Sequence, residues 1–251
     1  MGKLDGKVAI ITGSGKGIGK AYAKVFAREG AAVTVVCRTE SQGLAVVEEI
    51  KAEGGKAIFV PCDVSDRAQV ENVVAKTIEA FGKINALVNN AQVEPTPTPV
   101  ENLTDEQIDL AFGSGFKGSL YFMQACFPYL KETKGNIINT SSGSKEQRFP
   151  HKAAYVSAKG AIEGLTKVAA NEWGEYGITV NAIVPGAVTD LLLNWQKACP
   201  EEAQKYLKSM LLRRFGDAEK DVAPVAVFLA SDDSKFVTSE IVYCDGANSS
   251  R

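Results

Sequence analysis

The sequence predicts an α/β fold in which a seven-stranded, mostly parallel sheet is covered by helices on both faces. Short apolar runs alternate along the chain with longer segments of helical periodicity, which is the pattern of repeated βαβ units. The apolar runs are hydrophobic at nearly every position, as expected for strands that are buried on both faces. Together these two observations favour helices above and below one central sheet.

The predicted strands are rich in β-branched and other apolar residues and are bounded by turn residues or charged segments. They are Val8–Thr12, Ala32–Cys37, Ala57–Val60, Ala86–Asn89, Asn136–Thr140, Thr179–Ile183 and Ile241–Cys244.

Helices are predicted where apolar residues recur three or four positions apart. They are Ile18–Glu29, Gln42–Ala52, Gln69–Phe81, Asp105–Leu130, Ala153–Glu175 and Asp221–Leu229. The fourth should be disturbed near Gly113 and Gly115, because glycine disfavours continuous helix. The Pro95–Pro99 stretch is too short to separate domains, so residues 1–251 are expected to form a single domain.

Charge and composition exclude several classes of function. The 28 Lys and Arg nearly balance the 30 Asp and Glu, and no stretch concentrates one sign, so neither nucleic acid nor a membrane surface is an expected partner. The five cysteines are odd in number and form no Cys-x-x-Cys pair, which argues against disulfides and a metal site. No apolar run reaches the ~18 residues of a membrane span. The expected location is the cytoplasm.

A glycine-rich loop follows the first strand and opens the first helix. Its glycines permit a close approach to the backbone, and the helix N-terminus offers unpaired N–H groups and a partial positive charge to a pyrophosphate. The strand, loop, helix and second strand together predict a dinucleotide phosphate site. Its residues are Gly13, Gly15, Lys16, Gly17, Ile18 and Gly19.

With these features, the chain resembles the short-chain dehydrogenase/reductase family in its short single-domain form, whose loop pattern is Thr-Gly-x-x-x-Gly-x-Gly. Further motifs stand in family order and spacing over nearly the whole chain. They are Asp63-Val64, Asn89-Asn90-Ala91, Asn139-Thr140-Ser141-Ser142, Tyr155-x-x-x-Lys159, Asn181 and Pro185-Gly186.

The resemblance implies a doubly wound Rossmann fold that binds a nicotinamide dinucleotide. In the family pattern, Asp63 would contact the adenine, and its neighbour Val64 would also contact the cofactor. Asn89 and Ala91 would line the cofactor cleft. The nicotinamide carboxamide would be held by the segment from Pro185 to Thr189, which includes Gly186 and Val188.

The end of the second strand favours NADP(H) over NAD(H). An NAD site places a carboxylate there to bind the ribose hydroxyls, but this chain has Cys37 followed by Arg38. The Arg38 guanidinium suits a 2′-phosphate, and Lys16 adds a second cation within the glycine loop. The alternative, in which both are ordinary solvated surface charges, stays open at this point.

Tyr155, Lys159 and Ser142 are the candidate catalytic residues. Tyr155 and Lys159 are four residues apart on one helix, so their side chains share a face. A free phenol with a pKa near ~10 is a weak base at neutral pH, and a nearby ammonium would lower that pKa. Ser142, at the end of the fifth strand, could hold the substrate oxygen against Tyr155. The family resemblance implies the same three roles, and it also makes Tyr155 and Lys159 cofactor-binding residues, with Lys159 at the cofactor ribose.

Two positions depart from the family pattern. The helix Asn that completes the usual site falls at Gly115, and Gln92 stands where glycine normally follows Asn-Asn-Ala. Glycine can break a helix and leave a main-chain carbonyl without its helical hydrogen bond. We therefore expect a kink or bulge around Gly113–Gly115, and we expect Asn at position 115 to be tolerated.

The residues that face substrate are less clearly marked. The segment at about 187–215 corresponds to the part that covers substrate in the family, and its leucines favour a hydrophobic alcohol or ketone. Candidate substrate contacts are Gln92, Ser144, Phe149 and Trp195. The family resemblance also implies a homotetramer.

Three functions compete. The leading one is an NADP(H)-dependent enzyme that interconverts a hydrophobic secondary alcohol and its ketone by hydride transfer, with Tyr155 as acid/base. A reductase of a carrier-bound 3-oxoacyl chain would use the same site. A non-catalytic dinucleotide-binding regulator is the third, suggested by Gly115 and Gln92.

Overall fold

Seven strands form one parallel sheet in the computed structural model, which describes residues 2–187 and 195–249. Their spatial order is β3-β2-β1-β4-β5-β6-β7, so the chain winds outward from β1 first in one direction and then in the other. The strands are β1 (Val8–Thr12), β2 (Ala32–Cys37), β3 (Lys56–Pro61), β4 (Ala86–Asn89), β5 (Asn136–Thr140), β6 (Thr179–Pro185) and β7 (Ile241–Cys244). This is the doubly wound sheet that the sequence predicts.

Two strands are longer than predicted. β3 begins at Lys56 and ends at Pro61, because its full length pairs with β2. β6 continues to Pro185, since Val184 and Pro185 are in register with β7. Partners that are distant in sequence therefore set these ends.

Six predicted helices are found to within a few residues, and α6 and α8 lie outside the predicted ranges. They are α1 (Gly17–Arg28), α2 (Glu40–Ala52), α3 (Arg67–Phe81), α4 (Asp105–Phe112), α5 (Gly118–Thr133), α6 (Ser144–Gln147), α7 (Ala153–Trp173), α8 (Pro200–Ser209) and α9 (Ala223–Ala230). The predicted disturbance between α4 and α5 is a π-helical segment, Gly113–Lys117. A second π-helical turn, Ala218–Val222, replaces the predicted start of the last helix.

The core lies on both faces of the sheet. Successive residues of β1 point to opposite faces, so Ile11 joins one apolar cluster and Ile10 joins the other. The first cluster packs α1, α2 and α9 against the sheet, and the second packs α3, α5 and α7. The sheet is thereby covered by helices on both faces. The carboxyl ends of its parallel strands are aligned along one edge.

None of the helices in the described part of the chain is long and apolar enough to cross a membrane.

Candidate active site

A cleft of about 560 Å³ opens at the carboxyl edge of the sheet, above the neighbouring strands β1 and β4. Its walls come from the loops that follow β1, β2, β3 and β4, together with Ser114 of the π-helical segment. The strand order reverses between β1 and β4, and open parallel sheets bind ligands at such switch points. The predicted residues that line it are Gly13, Gly15, Lys16, Gly17, Ile18, Gly19, Arg38, Asp63, Val64, Ala91 and Gln92.

The glycines of the loop after β1 are required by close backbone packing. Gly13 has a φ of +65°, and a Cβ atom there would lie 2.8 Å from Cα of Ala91. A Cβ on Gly19 would lie 2.3 Å from the carbonyl oxygen of Gly13, and one on Gly15 would lie 2.7 Å from Sγ of Cys37. The loop can therefore turn tightly over the sheet only without side chains at these positions.

The N-terminus of α1 is suited to an anion. The first turn of α1 contains no acidic residue, and the side chain of its N-cap residue, Lys16, forms no capping hydrogen bond. The unpaired N–H groups and positive end of the helix dipole therefore face the cleft beside Lys16. A dinucleotide pyrophosphate fits this end of the cleft.

We expect Gly13→Ala to weaken dinucleotide binding by at least about tenfold, because it combines a strained positive φ with a backbone clash. Gly160→Ala is the control, since a Cβ at Gly160 on α7 meets no atom within 4 Å. Fluorescence titration with NADPH measures both variants. Equal affinities would contradict the steric argument.

Asp63 lies in the cleft as an ionised carboxylate. Its Oδ1 accepts hydrogen bonds from the backbone N–H and the hydroxyl of Ser65, at 3.0 Å and 2.7 Å. These bonds, with a smaller contribution from the positive charge of Arg38, lower the pKa of Asp63. Its carboxylate can accept a hydrogen bond from an adenine amino group, the role that the family resemblance implies.

The prediction that Asn89 lines the cleft is corrected by the structure. The Asn89 side chain is buried in the sheet and donates to Oδ1 of Asn139 on β5. Asn90, which sequence reasoning did not select, lines the cleft instead and donates to the carbonyl of Thr12 at 3.0 Å. Adjacent strand residues point in opposite directions, so only one of the two could face the ligand.

Thr12 is a second residue that the sequence reasoning missed. Its hydroxyl accepts the backbone N–H groups of Asn90 and Ala91, at 2.9 Å and 3.0 Å. These bonds fix the loop after β4 against the glycine loop. Two signals could have indicated this role: Thr12 ends the first strand, and it is the first residue of the Thr-Gly-x-x-x-Gly-x-Gly pattern.

Two cations flank the cleft near the end of β2. Lys16 and Arg38 both line it, both are exposed, and within the described ranges neither forms an ion pair. Cys37 ends β2, and its thiol contacts the carbonyl of Thr39 at 3.3 Å. The carboxylate that would bind ribose hydroxyls is thus absent from the strand end, and two positive charges stand in its place.

Ser142, Tyr155 and Lys159 meet beyond the end of β5. Lys159 is buried, and its Nζ donates to the carbonyl of Thr140 at 2.6 Å. The same Nζ lies 5.7 Å from the centre of the Tyr155 ring. Burial raises the pKa of Tyr155, and a hydrogen bond with Ser142 partly offsets that rise. At neutral pH the phenol is therefore protonated and able to donate a proton.

Burial lowers the pKa of Lys159 to about 7, and this should make stability depend on pH. Between pH ~7 and ~10 the unfolded chain binds more protons at this residue, so stability should rise with pH by up to about 1.4 kcal/mol per unit. Lys159→Met should flatten this rise, whereas exposed Lys51→Met should keep it. Urea unfolding of the ligand-free protein at pH 7 and 9.5 measures the difference. Parallel pH profiles for Lys159→Met and the unchanged chain would contradict the burial argument.

The structure places the four predicted substrate residues in different surroundings. Ser144 Oγ is 3.1 Å from Ser142 Oγ, and Gln92 lies beside the π-helical segment. Trp195 packs edge-on against Tyr206 of α8, with ring centroids 6.0 Å apart. Phe149 is 43% exposed, with its ring 5.4 Å from the Lys152 ammonium.

The predicted nicotinamide segment is described only in part. Pro185 ends β6, and the backbone N–H of Gly186 donates to the carbonyl of Cys244 at 3.0 Å. A Cβ on Gly186 would lie 2.4 Å from Cα of Asp245, which explains the glycine. Val188 and Thr189 lie outside the described residues.

Among residues 2–187 and 195–249, no group of three or more His, Cys, Asp or Glu side chains is placed to hold a metal ion.

Comparison with known proteins places this site in a family. The family model described as Enoyl-(Acyl carrier protein) reductase matches residues 13–247. The 12alpha-hydroxysteroid dehydrogenase of Clostridium sp. is 40% identical over 100% of both chains. The 3beta-hydroxysteroid dehydrogenase of Mediterraneibacter gnavus is 32% identical, over 98% of this chain and 96% of its own.

A solved structure from Sinorhizobium meliloti 1021, described as a short-chain alcohol dehydrogenase, superposes with a TM-score of 0.91. It is 30% identical and covers 98% of this chain and 97% of its own. The sheet order, the glycine-lined cleft, the Ser142, Tyr155 and Lys159 group and these matches lead to one conclusion. The chain belongs to the short-chain dehydrogenase/reductase family and is an oxidoreductase of CH–OH groups that uses a nicotinamide dinucleotide.

Proposed function

We propose that this chain interconverts a hydrophobic secondary alcohol and its ketone, with NADP(H) as cofactor and Tyr155 as the acid/base. The observation that carries the proposal is the group formed by Ser142, Tyr155 and Lys159 beside the glycine-lined cleft. It joins a protonated phenol, a hydroxyl and a buried amine beyond the end of β5, the strand next to β4, and the loop after β4 lines the cleft whose glycine loop suits a pyrophosphate.

Each side chain has a distinct task in ketone reduction. A bound nicotinamide supplies or accepts the hydride. Ser142 donates a hydrogen bond to the substrate oxygen and holds it against Tyr155, and Tyr155 gives its proton to that oxygen as negative charge develops. The Lys159 ammonium stabilises the resulting phenolate, and the burial that lowers its pKa lets it pass a proton back to Tyr155 near neutral pH. Alcohol oxidation follows the reverse order.

NADP(H) is proposed over NAD(H) on the charges around the end of β2. Arg38 and Lys16 line the cleft and form no salt bridge within the part of the chain that the structure describes, although Arg38 is near enough to Asp63 to lower the pKa of that carboxyl, and no acid occupies position 37. A 2′-phosphate would gain charge-assisted hydrogen bonds from the Arg38 guanidinium, whereas ribose hydroxyls would lack their carboxylate acceptor.

The substrate is proposed to be a bulky apolar alcohol or ketone. Two relatives are hydroxysteroid dehydrogenases, and a third, 37% identical, is the 2,5-dichloro-2,5-cyclohexadiene-1,4-diol dehydrogenase of Sphingobium indicum, which covers 98% of both chains. All three names specify ring-bearing alcohols. Trp195 and Phe215 each pack against Tyr206 of α8, and this aromatic group is the apolar surface that we propose for such a ring.

An activity screen tests the proposal. Purified protein is assayed with NADPH and NADH on hydroxysteroids, their ketones, cyclic diketones and carrier-bound 3-oxoacyl chains. We expect turnover on ring ketones or alcohols with NADP(H). Turnover on the carrier-bound chain alone would support the second candidate, which the carrier-protein description of the matching family model favours. Cofactor binding without turnover on any substrate would support the regulator.

The single domain spanning residues 1–251, the cytoplasmic location and the homotetramer stay predictions. The last two follow from the family resemblance and from the composition of the chain.

A further inference from the structure

The two positions at which this chain departs from the family pattern meet in space. A Cβ atom on Gly115 would lie 2.5 Å from Oε1, 2.8 Å from Cδ and 2.8 Å from Nε2 of Gln92. The Gln92 amide therefore occupies the volume that a side chain at position 115 would need. The side chains that positions 92 and 115 can hold are therefore sterically linked.

The loop that carries this amide is anchored to the interrupted helix at two successive residues. Nε2 of Gln92 donates to the carbonyl of Ala111, at 3.2 Å. The backbone N–H of Val93 donates to Oγ of Ser114, at 3.0 Å, and that hydroxyl donates to the carbonyl of Leu110. These contacts fix the Gln92 amide across the junction of α4 and the π-helical segment.

The contact continues to the helix that carries the catalytic pair. Ala111 is fully buried and packs against Ala154 and Ala158 of α7. These two alanines immediately precede Tyr155 and Lys159 in the chain. A shift of Ala111 would therefore be transmitted to both residues, because packed side chains leave no room for independent movement.

We propose that Gln92 is a positioning residue, which supplies from the loop after β4 the amide that the family places at position 115. Through Ala111 it sets how α4 rests on α7, and thus where Tyr155 and Lys159 stand. Its Oε1 is left as a buried acceptor beside position 115, without a partner among the described residues. This inference rests on the proposed function, since placement matters only if Tyr155 and Lys159 move the proton.

A double-mutant cycle tests the pairing. We expect Gln92→Gly to lower kcat about tenfold and to raise KM for NADPH by a smaller factor, because the catalytic pair is misplaced and Gln92 also lines the cleft. Gly115→Asn alone should lower both kcat and the melting temperature, since two amides would compete for one volume. This replaces the expectation from sequence that Asn would be tolerated there. Gln92→Gly with Gly115→Asn should recover most of kcat, and effects that simply add would overturn the proposal.

Glycine-to-alanine changes separate amide displacement from helix propensity. Gly115→Ala places its Cβ against the Gln92 amide, whereas a Cβ on Gly113 in the same π-helical segment meets only Cβ of Ser65 at 3.7 Å. We expect Gly115→Ala to lower kcat more than Gly113→Ala does. Equal losses would mean that straightening of the helix, and not the Gln92 amide, controls the rate, and would overturn the proposal.

Melting temperatures separate this inference from the proposed function. If the unchanged chain binds NADPH but turns over no alcohol or ketone, the proposed function fails and the positioning role fails with it. The placement of the amide is then judged by stability alone. Relief of the Gly115→Asn destabilisation by Gln92→Gly would support the placement, and additive shifts in melting temperature would overturn it.

Discussion

Replacing Tyr155 with Phe is expected to lower kcat for ketone reduction by at least about a thousandfold, because it removes the only phenol beside Ser142 and Lys159 among the described residues. The ring is retained, so packing around α7 should change little. The residues proposed to bind the pyrophosphate and the 2′-phosphate line the cleft, and Tyr155 is not among the lining residues, so NADPH affinity should stay close to that of the unchanged chain. Stopped-flow turnover and fluorescence titration measure the two quantities separately.

His151→Ala is the matched control for the acid/base assignment. His151 is the single histidine of the chain and lies four residues before Tyr155, so it is the rival proton donor. In the structure it is exposed, and its backbone adopts a φ of +65° in the loop before α7. We expect this variant to keep its turnover. Substantial activity in Tyr155→Phe, or its loss in His151→Ala, would refute the role of Tyr155.

The sheet and the glycine loop could be predicted because their signals are local. β1, β2, β4, β5 and β7 have the predicted bounds, since each is an apolar run closed by residues that disfavour strand. The loop that carries the proposed phosphate site could be located for the same reason, because strand, loop and helix are consecutive in the chain. Sequence alone was sufficient to predict these features, because each is formed by residues that are consecutive in the chain.

Features that depend on contacts between distant segments could not be predicted. The end of β6 is set by pairing with β7, and the choice between Asn89 and Asn90 depends on which of them faces the interior of the sheet. The contact of Gln92 with Gly115 joins two segments that sequence reasoning treated separately. Only the three-dimensional arrangement shows that the second departure fills the space left by the first.

Arg38→Asp combined with Lys16→Ala is expected to reverse the cofactor preference, shifting the ratio of kcat/KM values for NADPH and NADH by about a hundredfold or more. A charge-assisted hydrogen bond contributes about 1.5–3 kcal/mol, so losing two cations weakens NADPH binding strongly. The new carboxylate at position 38 also repels the 2′-phosphate and offers the ribose hydroxyls of NADH an acceptor. Arg38→Ala alone should weaken NADPH binding without improving NADH binding.

The control for the Arg38→Asp part of this change is Lys51→Asp, which alters an exposed cation on α2 by the same two charges. Lys51 is paired with Glu48 and does not line the cleft, so its reversal should leave the cofactor ratio unchanged at physiological ionic strength. A shift of similar size in this variant would mean that overall charge, rather than contact at the strand end, determines the preference. Unaltered NADPH selectivity after Arg38→Asp with Lys16→Ala would show that the 2′-phosphate is bound elsewhere. That result would contradict the assignment of both cations to the 2′-phosphate.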